Sequence, residues 1–264
     1  DRGGAGRLMR APGWAPPLLA VQFLTRVPVP LLSRLTKAQA DDGLARAMAW
    51  LPLVGTLIGA GTAVVFVSAS TIWPPIVAAL LALAVEALLT GAFHEDAVAD
   101  FCDAFGGTAR GEMALRIMHD SRIGSYGTLG LGLAVGLRLA AIVALPADIA
   151  VAAIVGAATF GRLWAVLLAT ILSPPSDAGG ISARLGRGVP WSRTAAALAS
   201  TIPGVLPLLL LQPAALAIGA GAGLLFLWWL TRFLRGRIGG STGDCLGFAA
   251  YMGQLAVLLA AGTA

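Results

Sequence analysis

The stretch Ala150–Ile171 reads AVAAIVGAATFGRLWAVLLATI, with Arg162 as its one charge. A run of this length spans about 33 Å as an α-helix, and the hydrocarbon core of a bilayer is about 30 Å thick. In lipid the backbone must satisfy its own polar groups, which leaves helices and closed barrels. The run lacks the period-two alternation of a barrel strand, so it predicts a transmembrane helix. Six further windows of the same kind lie near residues 51–71, 76–92, 128–145, 195–212, 214–231 and 246–263. The expected fold is therefore all-α: a polytopic integral membrane helical bundle of about seven transmembrane helices. Residues 1–264 are expected to form a single membrane-embedded domain, with 1–50 as a cytoplasmic or interfacial N-terminal segment.

Composition agrees. The chain is 58% hydrophobic and only 12% charged, with a mean hydropathy of +0.84. Soluble domains carry about twice that share of charge, enough to clothe a wet exterior. The net charge of +5 does not imply nucleic acid, because the Lys and Arg flank apolar runs instead of interleaving with aromatics. Cys102 and Cys245 form no disulfide framework and are expected to stay reduced. The segment Trp14–Leu24 is too short to cross, is interrupted by Pro16 and Pro17, and lacks a cleavage pattern. It is expected to be an interfacial or re-entrant piece and not a signal peptide. Glycine pairs at small-xxx-small spacing, Gly55/Gly59 and Gly132/Gly136, suit close helix contact.

Topology follows from the cations. Arg2, Arg7, Arg10, Arg26, Arg34, Lys37 and Arg46 precede the first window. Arg110, Arg116 and Arg122 follow the second, Arg184, Arg187 and Arg193 the fourth, and Arg232, Arg235 and Arg237 the sixth. The alternate connections, at 73–75, 146–149 and 212–213, hold none. The positive-inside rule puts the N-terminus and the cation-rich connections in the cytoplasm, and the C-terminus outside. Three charges remain within windows: Glu86, Arg138 and Arg162. Each costs about 2.5–3.5 kcal/mol at a helix centre. Either Glu86 pairs with one of the arginines, or an arginine such as Arg162 reaches an anionic substrate from a wet cavity.

Chemistry concentrates at three places on the cation-rich side. After the second window comes Phe93-His94-Glu95-Asp96-Ala97-Val98-Ala99-Asp100-Phe101-Cys102-Asp103. Asp96, Asp100 and Asp103 stand at i, i+4 and i+7, within about 60° of one another around a helix. Glu95 and His94 point off that stripe. Aligned carboxylates repel one another, and a divalent cation offsets this, with oxygen donors favouring Mg²⁺. The alternative is a solvated acidic helix end. Two histidines and no Cys pair argue against zinc. The second place is Met118-His119-Asp120-Ser121-Arg122-Ile123-Gly124-Ser125-Tyr126-Gly127. There an arginine and free amides suit a phosphate, although an ordinary interfacial turn has a similar composition. The third, Gly239-Gly240-Ser241-Thr242-Gly243-Asp244, is either a phosphate cradle opening a helix, with Asp244 as a further metal ligand, or a plain turn.

These stretches, together with Phe23-Leu24-Thr25-Arg26-Val27-Pro28-Val29-Pro30 and Pro52-Leu53-Val54-Gly55, give the chain a resemblance to the cobalamin synthase (adenosylcobinamide-GDP ribazoletransferase) family. They run in the family's order along nearly the whole length. The chain departs from the family at Glu95 and Ala97, where Leu and Gly are usual. It departs again at Tyr251 and Gln254, where the last span usually carries glutamates, so no role is assigned to that span. The resemblance implies a Mg²⁺-dependent phosphotransferase that joins α-ribazole, or its 5′-phosphate, to adenosylcobinamide-GDP with release of GMP. It implies Asp96, Asp100 and Asp103 as metal ligands. Asp103, Asp120 or His94 would take the hydroxyl proton. Ser121, Arg122, Gly124, Arg116, Arg162, Ser241, Thr242, Gly243 and Asp244 would contact substrate. The partners are then the two substrates and the lipid bilayer, with no nucleic acid and room for a homo-oligomer. A CDP-alcohol phosphotransferase also sets aspartates at i, i+4, but its Ala-Arg pair and inter-aspartate Gly are missing from this order. An aspartate-rich prenyltransferase would carry two such motifs. A transporter would place its polar residues at the midplane and not on one rim.

The topology has a direct test. Single cysteines placed at positions 184–193 should resist membrane-impermeant thiol reagents in intact spheroplasts and react after permeabilisation. Ready labelling of intact cells would reverse the assignment.

Overall fold

In a computed structural model, which describes residues 10–175 and 188–263, the chain is helical, and no strand occurs among the described residues. The helices are α1 (Ala15–Leu24), α2 (Lys37–Ala47), α3 (Leu51–Ser70), α4 (Pro75–Thr90), α5 (Phe93–Gly106), α6 (Gly111–Met118), α7 (Ser125–Ala144), α8 (Ala150–Ile171), α9 (Trp191–Leu211), α10 (Pro213–Ile238) and α11 (Gly243–Ala261). All seven windows appear as helices, although two differ in extent. Helix α10 continues past its window and carries Arg232, Arg235 and Arg237 on its last turns. Helix α4 has only 16 residues, about 24 Å, which is short for a full crossing. Among the described residues, six helices are thus long and apolar enough to cross, and a seventh crossing arises if the bent pair α4–α5 counts as one.

The prolines in the first short segment do not interrupt it. Pro16 and Pro17 open α1, where their missing N–H would have had no intrahelical partner. α1 then packs on α2 and α3. Thr36 and Gln39 close a capping box at the start of α2.

Helix α8, whose sequence decides the fold class, is the central post. It packs against α3, α9 and α11, and 83% of its apolar window is buried, against 28% for α7 and for α9. Small residues permit the close approach. A Cβ on Gly55 would lie 2.7 Å from the Ala158 carbonyl oxygen, and one on Gly59 would lie 2.8 Å from the Ala158 Cβ. Gly132 and Gly136, the other pair at this spacing, face open space. Spacing alone therefore identified one real contact and one coincidence.

The three intramembrane charges form one cluster. Arg138 Nη2 lies 2.6 Å from Glu86 Oε2, and Arg162 Nη2 lies 4.0 Å from Glu86 Oε1. Thr62 donates its hydroxyl to the same carboxylate at 2.7 Å. Arg162 also donates to Gln254 Oε1 at 2.9 Å and to the Ala158 carbonyl at 3.1 Å. The Arg138 guanidinium sits 5.6 Å from the centre of the Tyr251 ring. Tyr251 and Gln254 therefore have a role that the last span's sequence did not disclose: they line the buried cations. Glu95, on α5, approaches Arg138 Nη1 at 3.5 Å and brings the cluster to neutrality.

The cation-rich connections meet at one end of the bundle. Arg193 donates to the Ala45 carbonyl, Arg235 to that of Ile171, Arg237 to that of Ala109, and the Ser241 hydroxyl to that of Leu172. Arg2, Arg7, Arg184 and Arg187 lie outside the described residues.

Removing Glu86 leaves two buried guanidinium groups short of an anion. Glu86→Leu should cost about 3–5 kcal/mol, lowering the thermal midpoint in detergent by on the order of 10 °C. Glu86→Leu combined with Arg138→Leu should recover most of that loss. A single variant as stable as the parent protein would refute the pairing.

Candidate active site

The acidic motif does form a helix, but one set across the bundle. Between α4 and α5 the chain turns by 89°. Gly91 (φ +75°) and Ala92 (φ +56°) both adopt the left-handed conformation to make the turn, which glycine accepts at no cost and alanine does not. The Arg26 amide donates to the Leu89 carbonyl at 2.7 Å, and its guanidinium covers Gly91. Past this elbow, α5 runs nearly at right angles to α4 and lies beyond the apolar window of residues 76–92. Its apolar face seats Val98, Phe101, Ala104 and Phe105 in the core, with Phe101 stacked on Phe248 of α11 at 3.8 Å. The opposite face is left to the carboxylates.

Those carboxylates border a cavity of about 530 Å³. Glu95, Asp96 and Asp100 come from α5, Asp244 from the first turn of α11, and His119, Asp120 and Ser121 from the turn before α7. Met118 closes α6 and receives the Thr242 hydroxyl on its sulfur at 3.0 Å, which ties the start of α11 to that turn. Burial, with Asp96, Asp244 and Asp103 nearby, pushes the Asp100 carboxyl up to about 7, against the opposing charge of His119. Asp120 is the reverse case. Bonds from the Arg122 side chain (3.0 and 2.7 Å) and from its amide (3.1 Å) hold its carboxyl at about 2.

Several expected site residues are engaged elsewhere. Asp103 does not line the cavity: its two oxygens accept the amides of Gly124 at 2.6 Å and Gly127 at 2.7 Å, anchoring the start of α7. A carboxylate is favoured there because those first-turn amides have no intrahelical acceptors. This departs from the expectation that Asp103 would be a metal ligand or base. Gly124 serves the same anchor. His94 is buried against Phe93, away from the cavity. Arg162 is committed to the buried cluster. Arg116 is exposed on α6, and Arg122, bound to Asp120, faces solvent. Ser241 holds Leu172, and Thr242 caps α11 through the Cys245 amide at 3.4 Å. Gly243 precedes Asp244 with open space beside it. Two residues enter that the stripe argument left out. Glu95, expected to point away, lines the cavity, and so does His119.

No three His, Cys, Asp or Glu side chains among the described residues stand close enough to hold a metal by themselves. The oxygen donors of Asp96, Asp100 and Asp244 nevertheless share one cavity. This suits Mg²⁺, which usually takes one or two carboxylates and completes its shell with water and substrate phosphate.

Residues 16–262 match the cobalamin-5-phosphate synthase family. The chain is 40% identical over 244 residues to the adenosylcobinamide-GDP ribazoletransferase of Ralstonia nicotianae, covering 91% of this chain and 92% of that one. It is 37% identical over 249 residues to that of Azorhizobium caulinodans (91% and 92%), and 37% over 252 residues to that of Shewanella amazonensis (92% and 92%). No solved structure matches the chain.

The anchoring role of Asp103 is testable apart from any turnover. Asp103→Ala should leave two amides without acceptors, at about 1.5–3 kcal/mol for bonds to a charged group. Hydrogen exchange across residues 119–127 should then speed up by about tenfold or more. Unchanged exchange would show that the carboxylate does not hold the turn.

Proposed function

This chain belongs to the cobalamin-5-phosphate synthase family, and from that premise we propose how its rim cavity serves phosphoryl transfer. The activity is that of an adenosylcobinamide-GDP ribazoletransferase, the cobalamin synthase step. The hydroxyl of α-ribazole, or of its 5′-phosphate, attacks the phosphorus on the cobinamide side of the diphosphate, and GMP leaves. Such a reaction depends on positioning and on meeting the charge of the non-bridging oxygens.

The observation that carries this reading is the single cavity into which Asp96, Asp100 and Asp244 open. One or two of them, with water and substrate phosphate completing the shell, would hold Mg²⁺. When bound, the ion would neutralise the diphosphate of the incoming substrate. Ser121 borders the same space, and Asp103 fixes the 119–127 turn that forms one wall. The Arg138–Glu95 contact holds the cavity side of α5 to the buried cluster. The cavity lies beside the cation-rich connections, which supports an active site on the cytoplasmic face of a bacterial inner membrane.

In a GMP-release assay with adenosylcobinamide-GDP, ribazole phosphate and Mg²⁺, Asp96→Ala and Asp100→Ala should each lose about 100-fold or more, because losing a held metal removes several kcal/mol of stabilisation. Near-normal turnover and Mg²⁺ dependence in both would defeat the metal reading. Because Asp100 stays protonated up to about 7 in the metal-free protein, Mg²⁺ must displace a proton below that pH. The apparent Mg²⁺ affinity should therefore rise between pH 6 and pH 8, by up to about tenfold per unit below 7. A flat profile would exclude Asp100 as a ligand.

A further inference from the structure

The cavity carries a charge problem. Its titratable wall consists of Glu95, Asp96, Asp100, Asp120 and Asp244, with His119 as the one nitrogen-bearing side chain among the described lining residues. Glu95 is matched by Arg138 and Asp120 by Arg122, but Asp96, Asp100 and Asp244 face an incoming diphosphate with no cationic side chain other than His119 among the described lining residues. Three arginines among the described residues are committed elsewhere. Arg138 and Arg162 are buried in the bundle, and Arg122 spends its Nε and Nη2 on Asp120.

His119 is held in a defined pose. It ends α6, and its Nδ1 lies 2.7 Å from the Leu115 carbonyl oxygen. A carbonyl can only accept, so Nδ1 carries the hydrogen and Nε2 is the nitrogen left for a ligand. The ring is exposed and lines the cavity. With both ring nitrogens protonated, Nε2 is a donor as well. The charge of His119 already acts on Asp100.

We propose that His119 is a substrate-positioning residue whose Nε2–H donates to a phosphate oxygen of adenosylcobinamide-GDP, supplementing the metal with a protein-borne cation. This rests on the phosphoryl-transfer reading above. It also sets His119 apart from a proton acceptor. A phosphate-gripping cation can be replaced by lysine, whereas a proton acceptor cannot, since an ammonium group has no lone pair.

The test uses the purified full chain in detergent, with unphosphorylated α-ribazole as acceptor so that adenosylcobinamide-GDP brings the only phosphates. GMP release is measured for His119→Ala, His119→Gln and His119→Lys. In the Ala variant KM for adenosylcobinamide-GDP should rise by about tenfold, as expected on losing one charge-assisted hydrogen bond, with kcat changed by less than about threefold. Lysine should restore most of the affinity. A collapse of kcat at unchanged KM in all three variants would assign His119 to proton transfer and overturn the proposal. Unaltered kinetics in all three would overturn it too. A parent protein that releases no GMP would instead defeat the phosphoryl-transfer reading, and this inference with it.

Discussion

Glu86 stands between Arg138 and Arg162 inside a bundle of apolar helices, and the polar architecture of the protein is built around keeping that group neutral. Each of these charges alone would be costly at membrane depth. Together they need hydrogen-bond partners on several helices: Thr62 from α3, Gln254 and Tyr251 from α11, and Glu95 from α5. The requirement is directional as well as electrostatic, so it sets how those helices sit around α8. A bundle held only by Ala, Gly and Leu contacts would have less to choose among rotations of its helices.

Glu95 is where that buried demand reaches the surface. It contributes the second anion to the cluster while forming part of the rim cavity. The adjacent elbow at Gly91–Ala92 turns α5 across the bundle, with Arg26 packed over it. The same helix then has one apolar face against α11 and one acidic face toward solvent. Charge tied into the bundle and charge facing the cavity are thus separated along a single helix. Glu95 is neutralised by arginine from within, while Asp96 and Asp100 remain available to a cation from outside.

The rim shows a second division of labour. Carboxylates that resemble one another in the sequence have different duties. Asp103 secures the start of α7 through two amides, Asp120 restrains Arg122, and Asp100 and Asp244 face the cavity. What separates them is which partner lies within hydrogen-bond reach. That same reach governs their proton affinity: Asp120 is a poor acceptor beside its arginine, whereas Asp100, crowded by other acids, holds a proton to about 7.

Much of this was legible beforehand, for reasons that are local. Apolar runs, the one-sided distribution of arginines and the i, i+4 spacing of Asp96 and Asp100 are properties of contiguous residues. Lipid, membrane potential and helical period act on them without reference to the rest of the fold. The pairing of Glu86 with an arginine was also readable, because a lone charge there has few alternatives. Other features needed the assembled bundle. Nothing within α5 indicates that Asp103 would meet the amides of Gly124 and Gly127, or that Glu95 would be drawn to Arg138 across from α7. Nothing in α11 by itself makes Gln254 a partner of Arg162. Gly55/Gly59 and Gly132/Gly136 share one spacing, yet only the first pair meets a neighbour. The sequence by itself determined which residues are helical, which side is cationic and which acids share a stripe, since those depend on period and hydropathy. Tertiary structure decided which acid holds the fold and which faces the cavity, because a side chain's role depends on what a distant segment places within about 3 Å of it.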